Sequence, residues 1–217
     1  MAFIDVIKAK AKADKKRIVL PEGMDRRIWE AAVEIVKDDI ADLTVIATEE
    51  DVKNNTEGLN LAGINIIDPV RSDKLEKYTA DLAELRRMKG MTIDEARELL
   101  TTDYVYYACM MLRENEADGV VSGACHSTAN TLRPALQLVK AKPGVKLVSA
   151  FFIMVVPDCE YGADGTFVFA DAGLNQNPNP EELAAITESS AKSFEMLVGE
   201  KPICALLSHS TKGSAKH

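Results

Sequence analysis

The sequence predicts an α/β fold of three layers, α/β/α, with a parallel or mostly parallel sheet covered on both faces. Three observations carry that expectation. Short, β-rich apolar runs recur along the chain; stretches with apolar residues at helical spacing follow them; and Gly, Pro, Asp and Asn mark the joints.

The elements follow in order. "MAFIDVIKAKAKADKKR" reads as an amphipathic helix whose short apolar patch is broken by charges and lacks a cleavage-site pattern. Residues 17–20 (RIVL) form the first strand. Asp25 is an N-cap, and Ile28, Trp29, Ala32, Val33 and Val36 place one apolar face of a helix on the sheet. Strands follow at 43–47 and 63–67, with a helix between them. From 72 to 115 the sequence changes to charged helical repeats with no strand-like run, an excursion from the sheet in which Thr92-Ile93-Asp94-Glu95 starts a helix through a capping box. Strand character returns at Asp118-Gly119-Val120-Val121, then a helix runs through Leu132 to Val139.

The Pro-Gly turn in "KAKPGVK", 140–146, marks a domain boundary, with domain I at 1–142 and domain II at 143–217. "LVSAFFIMVV" and "GTFVFADAG" are strands flanking the loop "PDCEYGAD". "NPNPEELAAITESSAKSFEMLVG" opens as a helix on proline and acidic residues, and "PICALLS" is a further strand. The hydroxyl- and glycine-rich "SHSTKGSAKH" after it leads to no further helix or strand, so domain II is expected to be incomplete. An unpaired edge there predicts aggregation or compensating association.

With 217 residues, 47% of them hydrophobic, the chain can bury a core. A net charge of −8 and a pI near 5.0 exclude a surface built to neutralise nucleic-acid phosphates or anionic lipid, leaving room only for a small positive site. No apolar run is long enough to cross a bilayer. Cys109, Cys125, Cys159 and Cys204 are scattered, without a CxxC pair, and three histidines do not complete a zinc site; free thiols in a reducing cytoplasm and no metal are expected.

The stretch "SGACHSTANTLRPA", 122–135, lies between a strand and a helix, where open α/β sheets bind ligands through loops and free backbone N–H groups. Gly123 permits close backbone approach. Ser127, Thr128, Asn130 and Thr131 offer neutral donors, and Arg133 adds a planar cation able to grip two oxygens of a phosphate or carboxylate. The alternative is that these groups only cap the helix while Arg133 points to water; both stay open on the residues alone. A single loop histidine, His126, is more often a structural hydrogen-bonder than a base. Arg86 and Arg87 are either solvated helix charges or reach over a site. There is no GxGxxG, no GxxxxGK[ST], no paired-carboxylate pattern and no Ser-His-Asp pattern.

"LPEG" (20–23), "ADGVVSGACHSTANTLRPALQ", "KPGVKLVSAFFIMVVPDCEYGADGTFVFADAGLNQNPNPEELAAI" and "LLSHSTKGSAKH" together resemble the phosphate acetyltransferase, or phosphotransacetylase, family along essentially the whole chain. Phosphate butyryltransferases share a looser version of the pattern. The resemblance implies an isocitrate/isopropylmalate dehydrogenase-like fold and a cytoplasmic homodimer. It also implies interconversion of acetyl-CoA plus phosphate with acetyl phosphate plus CoA, by a ternary-complex mechanism without metal or prosthetic group. Ser127, Thr128, Thr131 and Arg133, beside Gly123, would hold the phosphoryl end, with Arg133 catalytic; Arg87 matches an arginine proposed to meet CoA, and Cys159 a cysteine near the active site. Ser210, Lys212 and Ser214 either face the same cleft or form a surface turn. Family members continue beyond "GSAKH" into a part that carries a Ser-Arg pair and an aspartate base, so impaired activity is expected of this chain. The competing expectations are a catalytically silent phosphate-binding or dimerisation fragment and a butyryl-CoA-preferring enzyme.

Overall fold

A computed structural model describes residues 3–207, 210 and 212–214. The chain divides into two compact units, one of residues 8–140 and one of residues 141–217 together with 1–7.

The first unit is built on a parallel sheet of β1 (Arg17–Leu20), β2 (Asp42–Ile46), β3 (Ile64–Ile67) and β4 (Gly119–Val120) in the order β3-β2-β1-β4. Ile18 stands beside Leu43 on one side and Gly119 on the other. β4 has only two residues, and its start is held by side chains: Asp118 accepts from the Arg17 backbone N–H at 2.8 Å and accepts from Nε and Nη2 along one edge of the Arg17 guanidinium, at 3.1 and 2.8 Å. That fork fixes the register of a strand too short to fix its own.

Alternation along the strands separates two apolar layers. Leu20, Leu43, Val45 and Ala47 pack with Trp29 and Ala32 of α2 (Arg26–Lys37), joined by Val52 of α3 (Glu49–Asn55). Val19 and Ile46 belong to the opposite cluster, with Tyr78 and Leu82 of α4 (Leu75–Arg86), Leu100 of α5 (Ile93–Thr102), and Val105 and Met110 of α6 (Tyr104–Arg113). The helices of 72–115 are therefore the second layer of this unit rather than an excursion from its sheet. Of these helices α6 packs on β4, and α4 and α5 pack on each other and on α6. Asp25 caps α2, and Thr48 with Asp51 and Thr92 with Glu95 form capping boxes on α3 and α5.

In the second unit β5 (Phe151–Val155) and β6 (Thr166–Ala170) form an antiparallel pair, and α8 (Pro180–Val198) packs on β6. Asn179 and Glu182 form the capping box that starts α8, and Gly199 ends it in the left-handed region at φ 87°. Asp171, just past β6, collects the Leu174 and Asn175 N–H groups, the Asn175 side-chain amide and the Ser149 hydroxyl, tying the chain on both sides of the pair together. The expected strand at 202–208 is absent over 202–207, and Ser208 lies outside the described residues. Its apolar side chains are open to solvent, Ile203 at 97% and Leu207 at 91%, because a strand requires a ladder partner and no described strand pairs with it.

Two outcomes follow from this packing. A Cβ at Gly23 would lie 2.5 Å from both the Ala47 Cβ and the Ile46 carbonyl oxygen, so Gly23→Ala should lower stability by about 1–3 kcal/mol in urea unfolding. With Phe152, Phe169, Ile203 and Leu207 all exposed, the chain should self-associate in sedimentation velocity at micromolar concentration; a single monodisperse monomer would contradict this.

Candidate active site

The site is organised by a turn and a loop about a hundred residues apart in sequence. β1 ends at Leu20, and Pro21-Glu22-Gly23 turns tightly against the end of β2, where the Gly23 N–H donates to the Ile46 carbonyl at 3.2 Å. The Trp29 indole N–H closes the same turn on the Gly23 carbonyl at 2.7 Å. Because β4 lies next to β1, the loop leaving β4 passes over this turn, and the side chain of Glu22 enters it.

Glu22 is 0% exposed. Its Oε2 accepts the backbone N–H groups of Gly123 and Ala124, both at 2.9 Å. Its Oε1 accepts those of Cys125 at 2.8 Å and His126 at 3.0 Å, and lies 2.7 Å from the imidazole Nδ1 of His126. Burial alone pushes this carboxyl up, but the Cys125 N–H, the His126 ring and the Ala124 and Gly123 N–H groups outweigh it and hold the carboxyl at about 2. The loop forms a concave nest of N–H groups around an anion, and the anion is the chain's own.

A second acid braces the outside of the loop. Asp25 accepts the side-chain and backbone N–H groups of Arg27 and the Cys125 thiol at 3.3 Å, while Arg27 also donates to the Ala124 carbonyl at 3.0 Å. The Arg27 hydrogen bonds hold the Asp25 carboxyl well below the usual range. Burial, then Asp25, pushes the Cys125 thiol up, which makes it a poor nucleophile despite its exposure.

The structure assembles some of the expected residues and redirects others. Gly123 is at φ 121° with open space where a Cβ would be, so glycine is needed there for the backbone turn that aims consecutive N–H groups at Glu22. Those N–H groups are not free, contrary to the expectation for the end of a strand. Ser127 is the N-cap of α7 (Thr128–Pro134), its hydroxyl accepting the Asn130 N–H at 3.3 Å, so this side chain performs the capping role. Ser122 Oγ and Thr131 Oγ1, by contrast, are buried without a hydrogen-bond partner, one on each side of the loop. Thr128 and Arg133 are exposed on α7, which continues as a π-helical turn over Ala135–Val139.

Arg87 sits in a 3₁₀ turn, exposed and 3.7 Å from Glu84. Arg86 behaves differently. Its Nε is buried without a partner, and with Arg133 it acts on the phenol of Tyr106, opposing the upward push of burial and Asp103. Arg86 is the arginine of the pair that shares a neighbour with Arg133. Cys159 belongs to the second unit, in the loop after β5, with its thiol 4.0 Å from the Tyr161 carbonyl oxygen. Lys212 and Ser214 are exposed and Ser210 half-buried, whereas His209 and Thr211 of the same loop lie outside the described residues. Among the described residues no three His, Cys, Asp or Glu side chains converge on a metal position, and no helix is long and apolar enough to cross a membrane.

Sequence reasoning missed Glu22 as a site residue. A signal was present: an acid between Pro and Gly at the carboxyl end of a strand, directed across the sheet to the next strand's loop.

The family model described as phosphate acetyl/butaryl transferase matches residues 2–217, and the chain is a member of that family. It is 50% identical over 217 residues to the phosphate acetyltransferase of Thermoanaerobacterium thermosaccharolyticum, covering all of this chain and 66% of that one. It is 53% identical over 216 residues to the phosphate acetyltransferase of Acetivibrio thermocellus, with 65% of the relative covered. Among solved structures, a phosphotransacetylase from Streptococcus pyogenes matches with a TM-score of 0.85 at 33% identity, over all of this chain and 65% of that one. The EutD phosphotransacetylase from Staphylococcus aureus matches at 0.83 and 36%, over 99% and 63%. The chain thus spans about two-thirds of the length of these relatives and corresponds to their N-terminal portion.

Glu22→Gln places an amide among converging N–H donors and should lower stability at pH 7 by about 2–4 kcal/mol. The folded carboxyl sits at about 2 against an ordinary 4.5, so its contribution is complete above pH 4.5 and lost as pH falls toward 2. The gap between wild type and Glu22→Gln in urea midpoints should therefore be constant from pH 5 to 7 and close below pH 4.5. A gap independent of pH down to pH 3 would contradict this.

Proposed function

We propose that this chain carries the phosphoryl-binding part of a phosphate acetyltransferase, which interconverts acetyl-CoA plus phosphate with acetyl phosphate plus CoA. The observation that carries the reading is the loop 122–133. Glu22 holds it and takes up its backbone donors, so the groups open to a ligand anion are the exposed Thr128 and the exposed cation Arg133, while the unpartnered hydroxyls of Ser122 and Thr131 lie buried and would serve a ligand only where it displaces the groups that cover them. A loop that presents a hydroxyl and one arginine suits a small tetrahedral oxyanion. The names of relatives at 50% and 53% identity support acetyl over butyryl as the acyl group.

In the thioester-forming direction a thiolate attacks the acetyl carbonyl, and the carbon–oxygen bond to phosphate breaks. Arg133 balances the charge gathering on the departing phosphate, and Thr128 and Thr131 hold its oxygens. The partnerless Nε makes Arg86 a second candidate, with the expected Arg87, for an anionic part of CoA. Gly123 shapes the loop, and for Cys159 the family likeness suggests a place near the active site without a role as nucleophile. The family likeness further suggests a dehydrogenase-like two-domain fold, a direct ternary complex, a cytoplasmic homodimer, and chemistry without metal or prosthetic group. Weak or absent turnover by the 217 residues alone belongs to the same proposal, since the relatives contain a further third.

The test is phosphate-dependent thiol release from acetyl-CoA, with detection of acetyl phosphate, by the chain alone and by the chain extended with the C-terminal third of the Acetivibrio thermocellus relative. The extended form should turn over, and Arg133→Ala in it should lower kcat/KM for phosphate by at least tenfold. An extended, folded form that makes no acyl phosphate would overturn the assignment.

A further inference from the structure

Arg133 stands on a helical segment that is weak at one point. Pro134 follows it inside α7 and has no N–H to donate to the preceding turn. The chain then widens into the π-helical turn, where the Lys140 N–H closes on the Ala135 carbonyl at 3.0 Å. Intrahelical bonds therefore hold the segment poorly where the guanidinium leaves it. Two side chains of α6 tie it from outside. The Arg113 guanidinium donates to the Leu138 carbonyl at 3.1 Å, and the Tyr106 hydroxyl donates to Gln137 Oε1 at 3.0 Å. Gln137 lies about one turn beyond Arg133, so the Tyr106 bond acts on the part of the segment next to it. α6 is buried from Tyr104 to Met111, and Tyr106 is 6% exposed, so this tie comes from the core.

Among the described residues, every arginine other than Arg86 and Arg133 has a carboxylate or backbone carbonyl partner. No ion pair directs Arg133, so its direction depends on the backbone that carries it. The Tyr106 phenol is neutral at pH 7, because burial first, and then the Asp103 charge, push it up against the opposing fields of Arg133 and Arg86. Its single proton goes to Gln137, which leaves its oxygen as an acceptor within reach of both cations' fields.

We propose that Tyr106 is a positioning residue for Arg133: its hydrogen bond to Gln137 fixes the rotation of the segment from which the guanidinium emerges. The inference rests on the phosphoryl-binding reading above and deepens it, by adding to that site a core residue that acts only through another. A cation without an ion partner binds an oxyanion well only when it is held in place beforehand. Tyr106→Phe keeps the buried ring and removes the bond, and Gln137→Leu removes the acceptor; both leave the Arg113 tie intact.

The test needs no turnover. Arginine-selective ¹⁵N labelling of the 217-residue chain, with Arg133→Ala to assign the signal, reads the guanidinium directly. Without ligand, Tyr106→Phe and Gln137→Leu should each move the Arg133 Nε resonance and leave that of Arg26 unchanged. Both variants should unfold in urea at midpoints close to wild type and bind inorganic phosphate about fivefold more weakly. In an Arg133→Ala background, Tyr106→Phe should add no further loss of phosphate affinity, an outcome that a general loosening of the core would not give. An unmoved Arg133 resonance, an unchanged phosphate affinity in folded Tyr106→Phe, or an equal loss with and without Arg133 would overturn the proposal and leave the phosphoryl-binding reading standing. If Tyr106→Phe does not fold, the same three readouts on Gln137→Leu decide the matter. A wild-type chain that binds no phosphate would overturn the phosphoryl-binding reading, and the ligand-free Arg133 resonance would still decide whether the phenol positions the guanidinium.

Discussion

One buried carboxylate holds the functional end of the first unit together. Glu22 joins the turn after β1 to the loop after β4, accepting four backbone N–H groups and one ring nitrogen at 2.7 to 3.0 Å. An isolated buried charge is costly, and this one is tolerated because the loop's N–H groups replace its hydration shell almost completely. The relation is reciprocal: without the carboxylate, four converging amides would repel one another's dipoles and have no partner.

The rest of the site is conditioned by that contact. Gly23 lets the turn sit against β2 closely enough for Glu22 to point inward, and Gly123 supplies the backbone angle that turns the amides toward it. The register of β4 against β1, set by the Arg17–Asp118 fork, brings the loop to the correct height. Ser127 then caps α7, so that Thr131 and Arg133 emerge from a helix whose start is already fixed. Asp171 does a related task in the second unit, where one carboxylate gathers the chain before β5 and after β6. In both units an acid near the end of a strand organises an irregular segment that has no ladder of its own.

Much of the architecture was legible in the residues because local signals and burial agreed. Strands at 17–20 and 43–47, the Asp25 cap, the Thr92 capping box and the helix after Asn179 all follow from periodicity and capping chemistry, which depend on neighbours within a few residues. The segment 72–115 was legible as helical but not as a layer, since its charged face dominates composition while a narrower apolar face does the packing. The run 202–207 has strand composition and no strand, because pairing depends on a partner and not on the run itself.

For the site, the sequence by itself determined the chemical inventory: hydroxyls, a glycine and an arginine in one loop between a strand and a helix, and the family pattern that contains them. Only the tertiary structure decided which groups are free. Backbone N–H groups that the loop position offered to a ligand are taken by Glu22, from about a hundred residues away; Arg86 rather than Arg87 shares Tyr106 with Arg133; and His126 gains a carboxylate partner on one nitrogen only. Each of these depends on hydrogen-bond saturation among groups remote in sequence. Residue type states what a group can donate or accept, whereas the fold determines which of those capacities is already used.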